Sequence, residues 1–114
     1  MARVLICEPH DDVSALLQLV VRRLGHEAVT WTGSDSELDG VCVGVIEPGE
    51  TAGLRLAGRL RDIGIPVLFT SIFPADDSTL AYEPAAYLVK PFPLYTLERA
   101  IVDALDPCPA VVAG

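Results

Sequence analysis

The alternation of short apolar runs with segments of helical periodicity constrains this chain more than any other feature. The apolar runs read as strands because they are rich in Val, Ile, Leu and aromatic residues and end at Gly, Pro or acidic turns. They predict strands at Val4–Cys7, Glu27–Thr32, Val41–Ile46, Pro66–Thr70 and Tyr87–Lys90. Helical spacing predicts helices at Val13–Leu24, from about Leu54 to Asp62, at Asp76–Tyr82 and at Leu94–Leu105. Such alternation predicts an α/β fold, a doubly wound parallel sheet with strand order 2-1-3-4-5.

The connection between strands two and three is unusually short. Parallel strands need a crossover of about a dozen residues or more, whereas residues 33–40 supply eight, and only Leu38 among them is a large apolar residue. We therefore expect at most one helical turn around Ser36–Asp39. That edge of the sheet should leave Trp31 partly uncovered.

Length and charge restrict the functional class. The 114 residues and a hydrophobic fraction of 51% suffice for one domain, expected over residues 1–105 with a tail at 106–114. A net charge of −8 disfavours direct binding of nucleic acid and of anionic membranes. No apolar run approaches the ~20 residues of a membrane span, and the first strand begins too early to leave room for a signal peptide.

Cysteine usage gives an expectation about the compartment. There are three cysteines, an odd number without motif spacing, which predicts reduced thiols and a cytoplasmic protein. Cys7 and Cys42 fall inside apolar runs and are expected in the core.

Lys90 is the first candidate for a functional residue. It ends strand five, and Pro91 follows it directly. In open α/β sheets, sites form at the carboxyl ends of the strands. Lys90 therefore places a cation where a site would form.

The order of these motifs resembles the receiver domain of bacterial two-component response regulators, from Val4 to about Leu105. The most specific segments are Ile65–Ser71 and Tyr87–Phe92. The resemblance implies a flavodoxin-like (CheY-like) fold, here with the helix between strands two and three reduced or absent. It also implies a role in phosphorelay signal transduction.

Four residues match the receiver pattern. By resemblance, Lys90 corresponds to the lysine of the phosphorylation pocket and Pro91 to the cis proline after it. Tyr87 corresponds to the aromatic switch in strand five, and Ser71 to the hydroxyl residue that ends strand four. The Lys90–Pro91 peptide bond is accordingly predicted to be cis.

The pattern fails where phosphorylation chemistry is required. Glu8 occupies the first acidic position after strand one, but Pro9 replaces the second carboxylate that would help to bind Mg²⁺. Gly44 falls at the phosphoacceptor position, a register set by Asp39 before strand three and by Pro48 in the following loop. The resemblance therefore implies no aspartyl phosphorylation, no resident metal, no cofactor and no catalytic residues.

Two other readings of the charged residues remain open. Glu47 is a candidate for a displaced phosphoacceptor, or for a fixed negative charge opposite Lys90. Glu8 and Lys90 both follow strand ends, so they either form an ion pair that mimics part of the occupied site or are ordinary solvated charges.

Asp11 or Asp12 is expected to cap the first helix rather than bind a metal with His10. His26 is expected to be an unremarkable surface residue.

The predicted function is that of an atypical, non-enzymatic receiver that acts through protein interactions. Expected partners are a histidine kinase, an effector or an output protein. A homodimer is possible through the short helix before strand five, strand five itself and the last helix, which carry Tyr82, Tyr87 and Tyr95. The alternatives are a phosphotransfer-competent receiver that uses Glu47 and a small-ligand-binding doubly wound domain.

Overall fold

A computed structural model describes residues 1–106 of the chain. Strands and helices alternate as predicted, and most boundaries shift by one to three residues. The strands are β1 Arg3–Cys7, β2 Glu27–Thr30, β3 Val41–Ile46, β4 Val67–Ser71 and β5 Ala86–Val89. The helices are α1 Asp11–Arg23, α2 Thr51–Asp62, α3 Asp77–Leu80 and α4 Leu94–Leu105. Of the predicted tail at 106–114, all but Asp106 lies outside the described residues.

The five strands form one parallel sheet in the order β2-β1-β3-β4-β5. This confirms the predicted doubly wound architecture. Cys7 is level with Ile46, and Ser71 is level with Val89. The loops that follow β1, β3, β4 and β5 therefore leave the sheet at one carboxyl edge.

Each face of the sheet has its own core. Helices α1 and α4 cover one face, and α2 covers the other. The first core includes Val4, Ile6, Leu17, Val20, Val43, Val45, Leu68, Leu97 and Ile101. The second includes Leu5, Ile46, Leu56, Ala57, Leu60, Val67 and Phe69.

The crossover between β2 and β3 contains a single 3₁₀ turn, Asp35–Leu38, which confirms the predicted absence of a full helix. The Glu37 carboxylate holds this turn by accepting hydrogen bonds from the backbone and the hydroxyl of Thr32, at 2.8 and 2.7 Å. The hydroxyl bond is the main cause of the lowered pKa of Glu37. Trp31 is only half-buried, as expected, and the Arg59 guanidinium lies 5.8 Å from the centre of its ring. Arg59 thus covers part of the surface that a helix would have buried.

The start of α1 differs from the prediction. The N-cap of α1 is His10, whose side chain makes no capping bond, so the prediction of Asp11 or Asp12 as the cap is wrong. Both aspartates lie in the first turn instead, where their charge complements the helix dipole. Helix α4 begins at Leu94 as predicted, with Pro93 as its N-cap.

Two other expectations also require correction. His26 is not an isolated surface residue, because its Nδ1 accepts a hydrogen bond from the Ala2 backbone at 3.0 Å. Its pKa is lowered, first by burial and then by the positive N-terminus.

Cys7 is a free thiol, but Cys42 is disulfide-bonded, so the prediction of reduced thiols is wrong for Cys42. An odd number of cysteines without motif spacing does not indicate which of them forms a disulfide bond.

None of the helices within residues 1–106 combines the length and apolar character needed to cross a membrane.

Candidate functional site

A buried ion pair joins the two ends of the predicted site. Lys90 Nζ lies 2.5 Å from Glu8 Oε1. The Glu8 side chain is 0% exposed and that of Lys90 is 17% exposed, so neither is a solvated surface charge. The predicted Glu8–Lys90 ion pair is therefore confirmed, and the reading of both residues as ordinary solvated charges is wrong.

The second carboxylate oxygen of Glu8 is also occupied. Oε2 accepts a hydrogen bond from the His10 backbone at 3.2 Å and lies 3.3 Å from the ring nitrogen Nδ1 of His10. The His10 ring itself is exposed. Both carboxylate oxygens of Glu8 therefore have partners. One contacts Lys90 at the end of β5, and the other contacts His10 in the loop after β1.

The β4–β5 side of the site is held by short contacts. The Lys90 backbone donates to the Ser71 carbonyl at 2.7 Å, continuing the β4–β5 ladder, and the Lys90–Pro91 bond is cis as predicted. Ser71 is 2% exposed, and its hydroxyl accepts a hydrogen bond from the Phe73 backbone at 3.1 Å. The Tyr87 hydroxyl donates to the Phe73 carbonyl at 2.9 Å. Ser71 and Tyr87 therefore both fix the loop after β4.

Gly44 does not lie at the carboxyl edge, which its assignment to the phosphoacceptor position requires. It is two residues before the end of β3, paired with Leu5 on one side and Val67 on the other. A Cβ built on Gly44 would lie 2.4 Å from Leu60 Cδ1, inside the second core. The assignment of Gly44 to the acceptor position, which rests on the spacing from Asp39 and Pro48, is therefore wrong, because β3 ends at Ile46 as predicted and Gly44 lies two residues inside it.

Glu47 is the acidic residue nearest this end of β3. Residues 44–47 are Gly, Val, Ile and Glu, so no aspartate stands there. The Glu47 backbone donates to the Cys7 carbonyl at 2.9 Å, which places Glu47 at the level of the β1 loop. Its carboxylate accepts a hydrogen bond from the Gly49 backbone at 2.7 Å. Glu47 therefore lies at the carboxyl edge, in the loop that directly follows β3.

Glu47 lines two clefts at this edge. One, of about 410 Å³, lies beside Lys90 and is walled by Glu47, Glu50, Val13, Ile72 and Phe73, among others. The other, of about 330 Å³, extends from Cys7 and Glu47 to Trp31.

Burial, and then the negative charges of Glu50, Glu8 and Glu47, raise the pKa of the Cys7 thiol to about 11. The β1–β3 end of the edge is thus electronegative.

The residues present do not fit a resident Mg²⁺ ion. Mg²⁺ requires several oxygen ligands in near-octahedral geometry. Glu8 already binds an ammonium group, and Pro9 has no side-chain oxygen. Within residues 1–106, no three His, Cys, Asp or Glu side chains are placed to hold a metal ion.

The fold of this chain was compared with those of known proteins. No protein-family model matches the sequence, and no curated protein sequence matches it. A response regulator receiver protein from Burkholderia phymatum is 25% identical, with a TM-score of 0.73 over 92% of this chain and 95% of its own. A two-component response regulator from Clostridium difficile is 16% identical, with a TM-score of 0.80 over 96% of this chain and 99% of its own. A response regulator from Thermotoga maritima is 14% identical, with a TM-score of 0.76 over 92% and 98%.

These structural neighbours are receiver domains of response regulators. The chain therefore has the flavodoxin-like receiver fold, with the crossover between β2 and β3 reduced to one turn.

Proposed function

We propose that the chain is an atypical receiver module, which transmits signals through protein contacts and is not regulated by aspartyl phosphorylation. It is not an enzyme and uses no resident metal or cofactor. The observation that carries this proposal is the buried ion pair between Glu8 and Lys90.

The ion pair supplies the lysine with a counter-charge. In phosphoryl transfer, cationic groups neutralise the charge of the phosphoryl oxygens. Lys90 is already neutralised by a carboxylate that is withdrawn from water. Moving Lys90 towards a phosphoryl group would leave Glu8 buried and unpaired, which costs about 3–5 kcal/mol. The site is therefore held in one arrangement without a phosphoryl group.

The acceptor side supports the same conclusion. The residue that follows β3 is Glu47 rather than an aspartate, and Pro9 contributes no carboxylate for a metal. One observation favours a second candidate function, a receiver phosphorylated on Glu47, because Glu47 borders the same cleft as Lys90. Against it, the Glu47 carboxylate accepts a hydrogen bond from the Gly49 backbone, and the described part of the chain has no cluster of metal-binding side chains beside it.

The surface formed by α3, β5 and α4 is the proposed contact region for a histidine kinase, an effector or an output protein. Its exposed large apolar residues are Leu80, Val89, Tyr95 and Val102. The rings of Tyr82 and Tyr87 pack edge-on against Phe69, with ring centres 6.1 Å apart in both cases. Tyr95, which is 72% exposed, is therefore the tyrosine most available to a partner.

Phosphodonor treatment followed by intact mass spectrometry tests the proposal. The chain and its Glu47→Gln variant would each be incubated with acetyl phosphate and Mg²⁺. We expect no adduct of about 80 Da on either protein. An adduct on the native chain that is lost in Glu47→Gln would establish the second candidate function instead.

A further inference from the structure

The solvent-facing side of α1 carries a short, ordered pattern. Asp12, Leu16, Leu19 and Arg23 follow one another at intervals of four, three and four residues. This spacing places them along a single line of the helix, the geometry of a coiled-coil seam. All four are exposed, Leu16 at 42% and Leu19 at 51%. The opposite side of α1 is buried in the first core, so this line is not needed to hold the helix on the sheet.

The pattern is complementary to itself. Asp12 precedes Leu16 by four residues, and Arg23 follows Leu19 by four residues. When the helix is reversed, the acid takes the place of the base and the two leucines exchange positions. A two-fold axis between two copies requires this self-complementarity, because the same patch must serve on both sides.

We propose that α1 binds α1 of a second copy of this chain in antiparallel orientation. Leu16 of each copy packs against Leu19 of the other, around the two-fold axis. Asp12 of each copy faces Arg23 of the other. Within residues 1–106, neither Asp12 nor Arg23 takes part in an ion pair of the chain itself, so both charges are available.

A neighbouring groove extends the apolar part of this surface. A cleft of about 210 Å³ lies between α1 and the start of α4, and Leu16 forms part of its wall together with Val13, Phe92 and Leu94. Side chains of the second copy can therefore bury apolar area beyond the helix line itself.

The expected association is weak. A helix of 13 residues is about 20 Å long. One helix face on another buries less than the roughly 1,200 Å² typical of stable complexes. We therefore expect a concentration-dependent equilibrium between monomer and dimer, which leaves Tyr95 and Val102 on α4 available to another protein.

Sedimentation equilibrium over a range of protein concentrations tests the inference. We expect the native chain to dimerise and Leu19→Glu to weaken the dimer at least about tenfold, which corresponds to about 1.4 kcal/mol. Val102→Glu places the same charge at a residue of similar exposure, 48%, and tests the competing surface on α4. The matched control is Ile63→Glu, at a residue that is 59% exposed at the end of α2 and outside both surfaces. Circular dichroism checks that all three variants fold. Loss of the dimer in Val102→Glu but not in Leu19→Glu, or a native chain that stays monomeric throughout, would overturn the inference.

Charge exchange tests the antiparallel orientation. Asp12→Arg and Arg23→Asp each place like charges opposite one another, so each should weaken the dimer severalfold. The double variant restores opposite charges and should recover near-native association. The helix-dipole penalties of the two substitutions add in the double variant, so recovery cannot come from a more stable helix. A double variant weaker than both single variants would overturn the antiparallel arrangement.

Discussion

The two halves of the carboxyl edge differ in how far they follow the receiver pattern. The β4–β5 half carries Ser71, Tyr87, Lys90 and the cis Pro91, the four residues that the sequence resemblance assigns to the receiver pattern. The β1–β3 half carries Pro9 instead of a second carboxylate and has no aspartate at the end of β3. The matching residues are also those that organise the loop after β4 and the ladder to β5, so they have a structural role that does not depend on phosphorylation.

The Glu8–Lys90 ion pair connects the two halves. It spans from the loop after β1 to the end of β5 across the ends of β3 and β4. Each half therefore depends on the other for the neutralisation of a buried charge.

The largest expected effect follows removal of one partner of this pair. Lys90→Met leaves the Glu8 carboxylate buried and unpaired, so unfolding free energy should fall by about 3–5 kcal/mol. The double variant with Glu8→Gln should recover most of this loss. Urea denaturation of the two variants measures both values.

An exposed ion pair on another part of the chain provides the control. Arg61 and Glu83 are 2.7 Å apart, with side chains 48% and 74% exposed. Arg61→Met should therefore cost only about 0–1 kcal/mol. If Lys90→Met costs no more than Arg61→Met, the ion pair does not join the two halves.

Gly44 tests the position of β3 relative to the edge. Gly44→Ala should destabilise the fold by about 1–3 kcal/mol, because the new methyl group crowds Leu60 in a closely packed core. Thermal or urea unfolding measures the change. A neutral Gly44→Ala variant would mean that Gly44 faces the open edge, as an acceptor position must.

Cys7 reports on the charge of the β1–β3 half. Only the thiolate reacts with iodoacetamide, and the pKa of about 11 keeps Cys7 protonated at neutral pH. Its alkylation rate should keep rising above pH 9 and should be at least about tenfold below that of an ordinary thiol at neutral pH. Glu50→Gln should shift the rate profile to lower pH. Peptide mass spectrometry measures the rate at Cys7, and a profile centred at or below pH 9.0 would contradict an electronegative site.

Ser71 gives the smallest expected effect, in the β4–β5 half. Ser71→Ala removes the acceptor of the Phe73 backbone and should cost about 1 kcal/mol. Faster hydrogen exchange confined to the loop after β4 is the accompanying sign. Unchanged exchange in that loop would show that the hydroxyl does not organise this half.

The sequence alone predicts most of the fold because strand and helix periods are local properties. It also indicates that Glu8 and Lys90 can meet, because both residues follow strands whose carboxyl ends lie at one edge, but it does not decide between an ion pair and two solvated charges. It misplaced Gly44, because the family spacing from Asp39 and Pro48 assigned the acceptor position to Gly44, although the predicted strand Val41–Ile46, which the structure confirms, already puts Gly44 two residues before the strand end. The contact between His26 and the Ala2 backbone likewise joins residues 24 positions apart, and no local pattern indicates it.

The central claim is that the site is held by its own ion pair and does not respond to a phosphoryl group. NMR spectra of the amide groups, recorded during addition of Mg²⁺ and beryllofluoride, test it most directly. We expect no saturable shifts at Ser71, Tyr87 or Lys90. Saturable shifts at these three residues, abolished by Glu47→Gln, would show instead that the site binds a phosphoryl analogue at Glu47.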